Sequence, residues 1–178
     1  PQMWILDRIV IAVASGAIFV RLGNFFNSEI VGNITSSPFG VRFVRDQFST
    51  REAVNATQLA SPNEAYNAIA TNTQFADLLL QVPAKHPAQL YEAFSYIFVF
   101  AILFFLYWKT NVREKSGYLF GLFLVLLWSV RFVVEYVKES QGGFESSLGL
   151  LTTGQWLSIP FILIGLYFVF TAEKPVHL

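Results

Sequence analysis

Arg21, Asn24, Asn27 and Glu29 fall close together in the stretch VRLGNFFNSEIVG, directly after an apolar run. A guanidinium is a permanent, forked donor suited to phosphate or carboxylate. The two asparagines set neutral donors and acceptors near it, and Gly23 lets backbone approach closely. Glu29 has three chemical uses here: pairing with Arg21, orienting a substrate hydroxyl, or accepting a proton. The same residues also read as an interfacial anchor, with Arg21 reaching lipid headgroups and the asparagines ending a helix.

Two further stretches carry chemistry. In WSVRFVVEYV, Arg131 and Glu135 are spaced i, i+4 on one helical face inside an otherwise apolar segment. An ionised group there is costly and functional by default, and pairing lowers the cost. A salt bridge that only fixes helix packing is the plainer alternative. In KHPAQLYE, His86 has an ordinary pKa near 6.5 and could act as a base, although a histidine ahead of proline at a helix start also serves as a cap or packing residue. Gln89 and Glu92 are spaced i, i+3 and share a face, and Tyr91 suits a membrane interface. Thr153-Gly154-Gln155 reads as a cap and turn opening a helix. Two arginine and glutamate pairs near the outer half of one bundle describe a cationic pocket, open to the lipid leaflet and suited to a phospholipid headgroup.

The elements that must position these groups follow from composition. The chain of 178 residues is 54% hydrophobic and 13% charged, too little polar residue to cover a water-facing surface. It reads as a membrane protein. Formal charge is zero, so no global field recruits nucleic acid, and the absence of cysteine excludes disulfides and a cysteine nucleophile from this chain. Four apolar stretches, about Met3 to Val20, Leu90 to Trp108, Gly117 to Val137 and Trp156 to Ala172, approach the roughly 20 residues of a spanning helix. Asp7 and Arg8 mark the inner boundary of the first.

Lys109, Arg113 and Lys115 in the tight link after the second span place that link, and the tail with Lys174, on the cytoplasmic side. Alternation then puts the exit of the first span on the extracytoplasmic side. Between Gly32 and Pro83 the composition turns polar. VRFVRDQFST alternates like a strand or hairpin edge, and PNEAYNAIATNTQFADLLL reads as a helix after Ser61-Pro62. The expected fold is an all-α polytopic membrane protein. Residues 1–22 would hold the first span, 23–88 the polar motif and a small extracytoplasmic subdomain, and 89–178 three spans with short loops. Because the first residue is Pro, we expect a processing boundary with sequence ahead of it.

VRLGNFFNSEIVG resembles the signature of the phosphatidylglycerol–prolipoprotein diacylglyceryl transferase family, a Gly-Arg-x-Gly-Asn-Phe-x-Asn-x-Glu-x-x-Gly stretch. HPAQLYEA, RFVVEY and LTTGQWLSIP are similar to its later motifs, in the family's order. The resemblance implies a seven-helix enzyme of the bacterial inner membrane, of which this chain looks like the last four spans. The family moves diacylglyceryl from phosphatidylglycerol to the lipobox cysteine of a prolipoprotein signal peptide, forming a thioether and releasing glycerol phosphate, with no metal or cofactor. By position, Arg21, Asn24, Glu29, Arg131 and Glu135 would be catalytic. Arg21, Asn27, Gly32, His86, Gln89, Tyr91 and Arg131 would bind substrate, and the thiol's base would come from a His-Gly-Gly motif ahead of this region. Leu127 departs from the pattern, standing where the family often has tyrosine. Two other readings stay open from the residues alone: a non-catalytic membrane module that binds phospholipid or a partner protein, and a transporter using Arg131 and Glu135. The transporter predicts repeated halves, and no internal repeat is visible.

Overall fold

The computed structural model describes residues 2–139 and 151–173. In chain order the elements are α1 (Gln2–Phe26), β1 (Val41–Arg42), α2 (Val44–Gln47), α3 (Thr50–Thr57), α4 (Pro62–Thr71), α5 (Ala76–Gln81), β2 (Ala84–Lys85), α6 (Ala88–Lys109), α7 (Tyr118–Val134) and α8 (Thr153–Thr171). Two compact units emerge. A helical unit holds described residues 2–22, 90–136 and 151–173, and a small unit holds residues 23–89 and 137–139.

The helical unit is all-α because a chain in hydrocarbon must satisfy its own backbone hydrogen bonds. Four of its helices are long and apolar enough to cross a membrane, the third of them counted as Tyr118–Val137. Trp4, Phe19, Phe94, Phe105, Trp108 and Phe170 stay exposed, as expected of side chains that face lipid. Val10, Ala14, Tyr96, Val99, Leu103, Leu119, Phe123 and Leu124 form the buried core. Helices α7 and α8 meet backbone to backbone. A Cβ on Gly121 would lie 2.6 Å from the Gly165 carbonyl oxygen, and one on Gly165 would lie 2.7 Å from that of Gly121. Small residues permit such contact where dispersion rather than water drives helix association. Further along the same pair, Trp128 stacks on Phe161 at 4.2 Å and 6°.

Asp7 does more than mark a boundary. It is buried, and its carboxylate accepts from the Gly117 amide at 2.7 Å and the Phe120 amide at 2.9 Å. It therefore caps the first turn of α7, where unpaired N–H groups and the helix dipole both favour an anion. Its neighbour Arg8 points elsewhere, with its guanidinium 3.5 Å over the Trp4 ring.

The small unit is held by a short antiparallel pair, Val41 opposite Lys85 and Arg42 opposite Ala84, and by a core of Val44, Ala53, Ala65, Tyr66, Ile69 and Val82. Ser49 and Glu52 form a reciprocal capping box on α3. Lys85 is buried between Asp46 and Glu139, its Nζ 2.8 Å from a carboxylate oxygen of each. Burial works against its charge, but the two carboxylates outweigh burial and raise its pKa.

Three expectations need correction. Helix α1 does not end near Val20 but runs through Phe26, because Leu22, Phe25 and Phe26 continue the apolar pattern. The turn comes only at Ser28, with φ of 58°. VRFVRDQFST supplies a two-residue strand and then the short helix α2, whose Val44 is drawn into the core. The helix expected after Ser61-Pro62 breaks at Asn72, whose extended backbone and side chain cap a 3₁₀ turn over Thr73–Phe75. Lys174 and the middle of the 138–155 link lie outside the described residues.

Candidate functional site

In the helical unit, α1, α6 and α7 wall a cleft of about 380 Å³ lined by Val13, Gly16, Ala17, Val20, Arg21, Tyr96, Leu127 and Arg131. Two guanidiniums and a phenol stand in otherwise apolar walls. Arg21 comes from α1, and its Nε lies 2.9 Å from Oε2 of Glu92, a side chain with no exposed surface. The N–H is not aligned on that oxygen, so the contact is an ion pair without a well-formed hydrogen bond. Tyr96, one helical turn beyond Glu92 on α6, lines the same cleft as Arg21.

Arg131 approaches from the last turn of α7. Its guanidinium lies 5.0 Å over the Trp128 ring, and its buried Nε has no hydrogen-bond partner among the described residues. Aromatic stacking holds the cation without neutralising it. The cleft therefore presents positive charge at a place where water is scarce and an anion is strongly attracted.

Arg131 and Glu135 both fall within the apolar span counted as Tyr118–Val137. Arg131 lies in the last turn of α7, and Glu135 opens the 3₁₀ turn over Glu135–Val137. The Glu135 carboxylate packs against Gly154, in the first turn of α8, where a Cβ would collide with it. That position also suits an anion to a helix N-terminus.

In the small unit, Glu29 is gripped at three points. Its amide donates to the Asn24 carbonyl at 2.8 Å, its carboxylate accepts from Asn24 Nδ2 at 3.1 Å, and its carbonyl accepts from Gln89 Nε2 at 2.6 Å. Ser28 and Ile30 on either side both have positive φ, 58° and 54°. For a β-branched residue such as Ile30 this is rare and is held only by surrounding contacts. Asn27 is exposed, and its amide donates to the Gly23 carbonyl at 3.0 Å.

Gly32 has a steric explanation. Its amide donates to the His86 carbonyl at 2.9 Å, and the next amide, of Asn33, donates to Val137 at 2.8 Å. A Cβ on Gly32 would stand 2.5 Å from the His86 carbonyl oxygen and 2.7 Å from that of Val137. His86 holds this layer through its backbone, donating in turn to Asn33 at 2.9 Å. Tyr91 is half-buried in the first turn of α6, where its carbonyl accepts from Ser95.

Glu92 and Tyr96 were absent from the expected site. Glu92 was visible only as a face-mate of Gln89, and its partner lies 71 residues earlier, at Arg21. Its i, i+4 spacing to Tyr96 on an apolar helix was the available signal.

The family described as prolipoprotein diacylglyceryl transferase matches residues 1–171. A phosphatidylglycerol–prolipoprotein diacylglyceryl transferase of Tolumonas auensis is 36% identical over 97% of this chain and 53% of its own length. Proteins of the same name from Bacteroides fragilis and Porphyromonas gingivalis are 35% and 36% identical over 97% of this chain, and over 50% and 53% of their own lengths. The chain thus spans about half the length of the curated relatives it matches. With its four apolar helices, this likeness marks a bacterial membrane protein. A match over nearly the whole chain, on a sequence whose arginines line an apolar cleft, means that the chain belongs to the prolipoprotein diacylglyceryl transferase family.

Proposed function

We propose that the protein transfers the diacylglyceryl group of phosphatidylglycerol to the lipobox cysteine of a prolipoprotein signal peptide in the bacterial inner membrane. The observation that supports this reading is the cleft in which Arg21 and Arg131 stand among Val13, Ala17, Val20 and Leu127. Such walls match a lipid whose headgroup carries phosphate and whose chains are apolar. The sulfur attacks the glycerol carbon of the diacylglyceryl group, and a C–S bond forms as the C–O bond to phosphate breaks. The departing phosphate oxygen keeps the electron pair, and glycerol phosphate leaves.

Arg21 and Arg131 hold the phosphate and stabilise charge as it grows on the leaving oxygen, which fixed donors do well in a dry site. Glu92 keeps Arg21 oriented, and Trp128 keeps Arg131 in place without consuming its charge. The attacking species is a thiolate, so the thiol, with an ordinary pKa near 8.5, must lose its proton to a base. Positive-inside reasoning from Lys109, Arg113 and Lys115 sets the small unit on the extracytoplasmic side, where precursors emerge, and the C-terminus in the cytoplasm.

The test is complementation in bacteria depleted of their own diacylglyceryl transferase, with the natural full-length protein and a reporter precursor followed by mass. The wild type should add the lipid mass. Arg21→Ala and Arg131→Ala should each lower transfer by roughly 10²-fold or more with insertion intact, and Lys should rescue only partly because it lacks the fork. Full transfer by well-inserted Arg21→Ala and Arg131→Ala would overturn the phosphate assignment.

A further inference from the structure

Gly16 lines the arginine cleft, yet neither usual reason for a glycine applies to it. Its backbone is ordinary α-helix without positive φ, and a Cβ there would meet nothing within 4 Å. Gly121 and Gly165 in the same unit differ, because a Cβ on either would press on the opposing backbone. A glycine inside a helix also costs stability relative to alanine. Among the described residues packing would accept a side chain at position 16, so the space left open there belongs to the cleft.

The neighbours shape that space into a notch. Val13 and Val20 line the cleft one helical turn to either side of Gly16, on the same face of α1. At 1.5 Å rise per residue they stand about 10 Å apart along the axis. A hydrocarbon chain between two walls needs about 4 Å of carbon contact on each side, so the gap admits one chain. Both valines are exposed, which leaves the notch open at its side. Arg21 lies about 7.5 Å further along α1 than Gly16. Arg131 brings a buried Nε to the same cleft, without a hydrogen-bond partner among the described residues. Charge at one end and bare backbone at the other match a phosphate ester and the chain attached to it.

We infer that Gly16 determines which acyl chains the cleft accepts, because a chain of the bound lipid runs over its backbone between Val13 and Val20. The inference rests on the reading of the protein as a phosphatidylglycerol-using transferase. It adds what that reading leaves open, the selection among donors that share one headgroup. A methyl-branched chain is wider than a straight one and needs the volume that the absent side chain leaves. Filling the notch therefore excludes branched chains before straight ones, and a methylene too many in an apolar pocket is worth about 10–200-fold.

The test uses the natural full-length protein, delipidated in detergent and offered equimolar dimyristoyl and diphytanoyl phosphatidylglycerol, which differ only in their chains. Native mass spectrometry reads which lipid is retained, and turnover is measured with each as donor. The wild type should retain both. Gly16→Leu should lower retention of the branched lipid at least about 10-fold more than that of the straight one, with Gly16→Ala between. Arg131→Lys should weaken both lipids and keep their ratio. Gly16→Ala should also raise the thermal unfolding midpoint, by about 1–3 °C, as helix propensity dictates. A Gly16→Leu protein with the wild-type retention ratio would overturn the inference, as would rejection of the branched lipid by the wild type. A lowered midpoint for Gly16→Ala would mean that another helix packs on Gly16, which overturns it as well. The retention ratio does not depend on turnover. A protein that sorts lipids by chain shape through Gly16 but transfers nothing would defeat the transferase reading and leave the role of Gly16 standing.

Discussion

Arg21 and Glu92 meet at 2.9 Å in the helical unit, and the glutamate has no exposed surface. Their value lies less in the pair's own energy than in what either would cost alone. Two charges taken out of water roughly offset their desolvation when paired, but one left unmatched is strongly unfavourable. Glu92 also fixes the direction from which Arg21 enters the cleft.

Glu92→Gln should therefore lower stability by about 3 kcal/mol, the usual scale for breaking a buried pair. Thermal unfolding in detergent checks this. Glu92→Asp should lie between wild type and Gln, because it keeps the charge at a shorter reach. Unchanged unfolding midpoints for Gln would mean that water already screens the pair.

Asp7 makes a comparable contribution at another end of the helical unit, capping α7 from α1 through Gly117 and Phe120. Asp7→Asn keeps one acceptor and loses the charge, so it should cost about 1 kcal/mol. Asp7→Ala leaves both amides bare and should cost more, about 1–3 kcal/mol for each. Hydrogen exchange at Gly117 and Phe120 should accelerate in the order wild type, Asn, Ala. An Ala variant as well protected as wild type would show that the cap contributes nothing.

Much of this was legible in the sequence for a physical reason. An apolar run long enough to cross hydrocarbon leaves the backbone no choice but a helix, so the four spans could be read without knowing their neighbours. Arg131 was legible because a guanidinium in such a run is expensive. Partnerships across large sequence separations were not legible. Asp7 looked like a boundary marker, yet its partner amides lie 110 and 113 residues later. Glu29 looked available to Arg21, but Asn24 holds its carboxylate and Glu92 meets the arginine. In the small unit the break at Asn72 was hidden by an alanine-rich pattern. There a side-chain bond to the Gln74 amide competes with the helix, which apolar spacing does not report.

Gly32 sits where any side chain would press on backbone. Because a Cβ would stand 2.5–2.7 Å from two carbonyl oxygens and from the His86 Cβ, neither neighbour can yield by rotating a side chain. Gly32→Ala should cost about 1–3 kcal/mol, the range of forced overpacking. Limited proteolysis should then cut the small unit faster than in wild type. Equal resistance would show that residues 31–35 shift freely, and a role for Gly32 in contacting substrate would gain weight.

The capping box of α3 makes its contribution depend on pH. Hydrogen bonds from the Ser49 side chain and backbone hold Glu52 below its ordinary value of 4.5. A carboxyl whose folded pKa is depressed stabilises the fold fully above its unfolded value, and that stabilisation fades as pH falls through the folded one. Between about pH 6 and pH 3 the wild type should lose protection of the α3 amides. Glu52→Gln keeps the bond to the Ser49 amide without titrating, so its α3 protection should depend less on pH over the same window. If both proteins lose α3 protection in parallel, the acid sensitivity arises elsewhere in the small unit, and the Ser49–Glu52 bonds contribute geometry without measurable linkage.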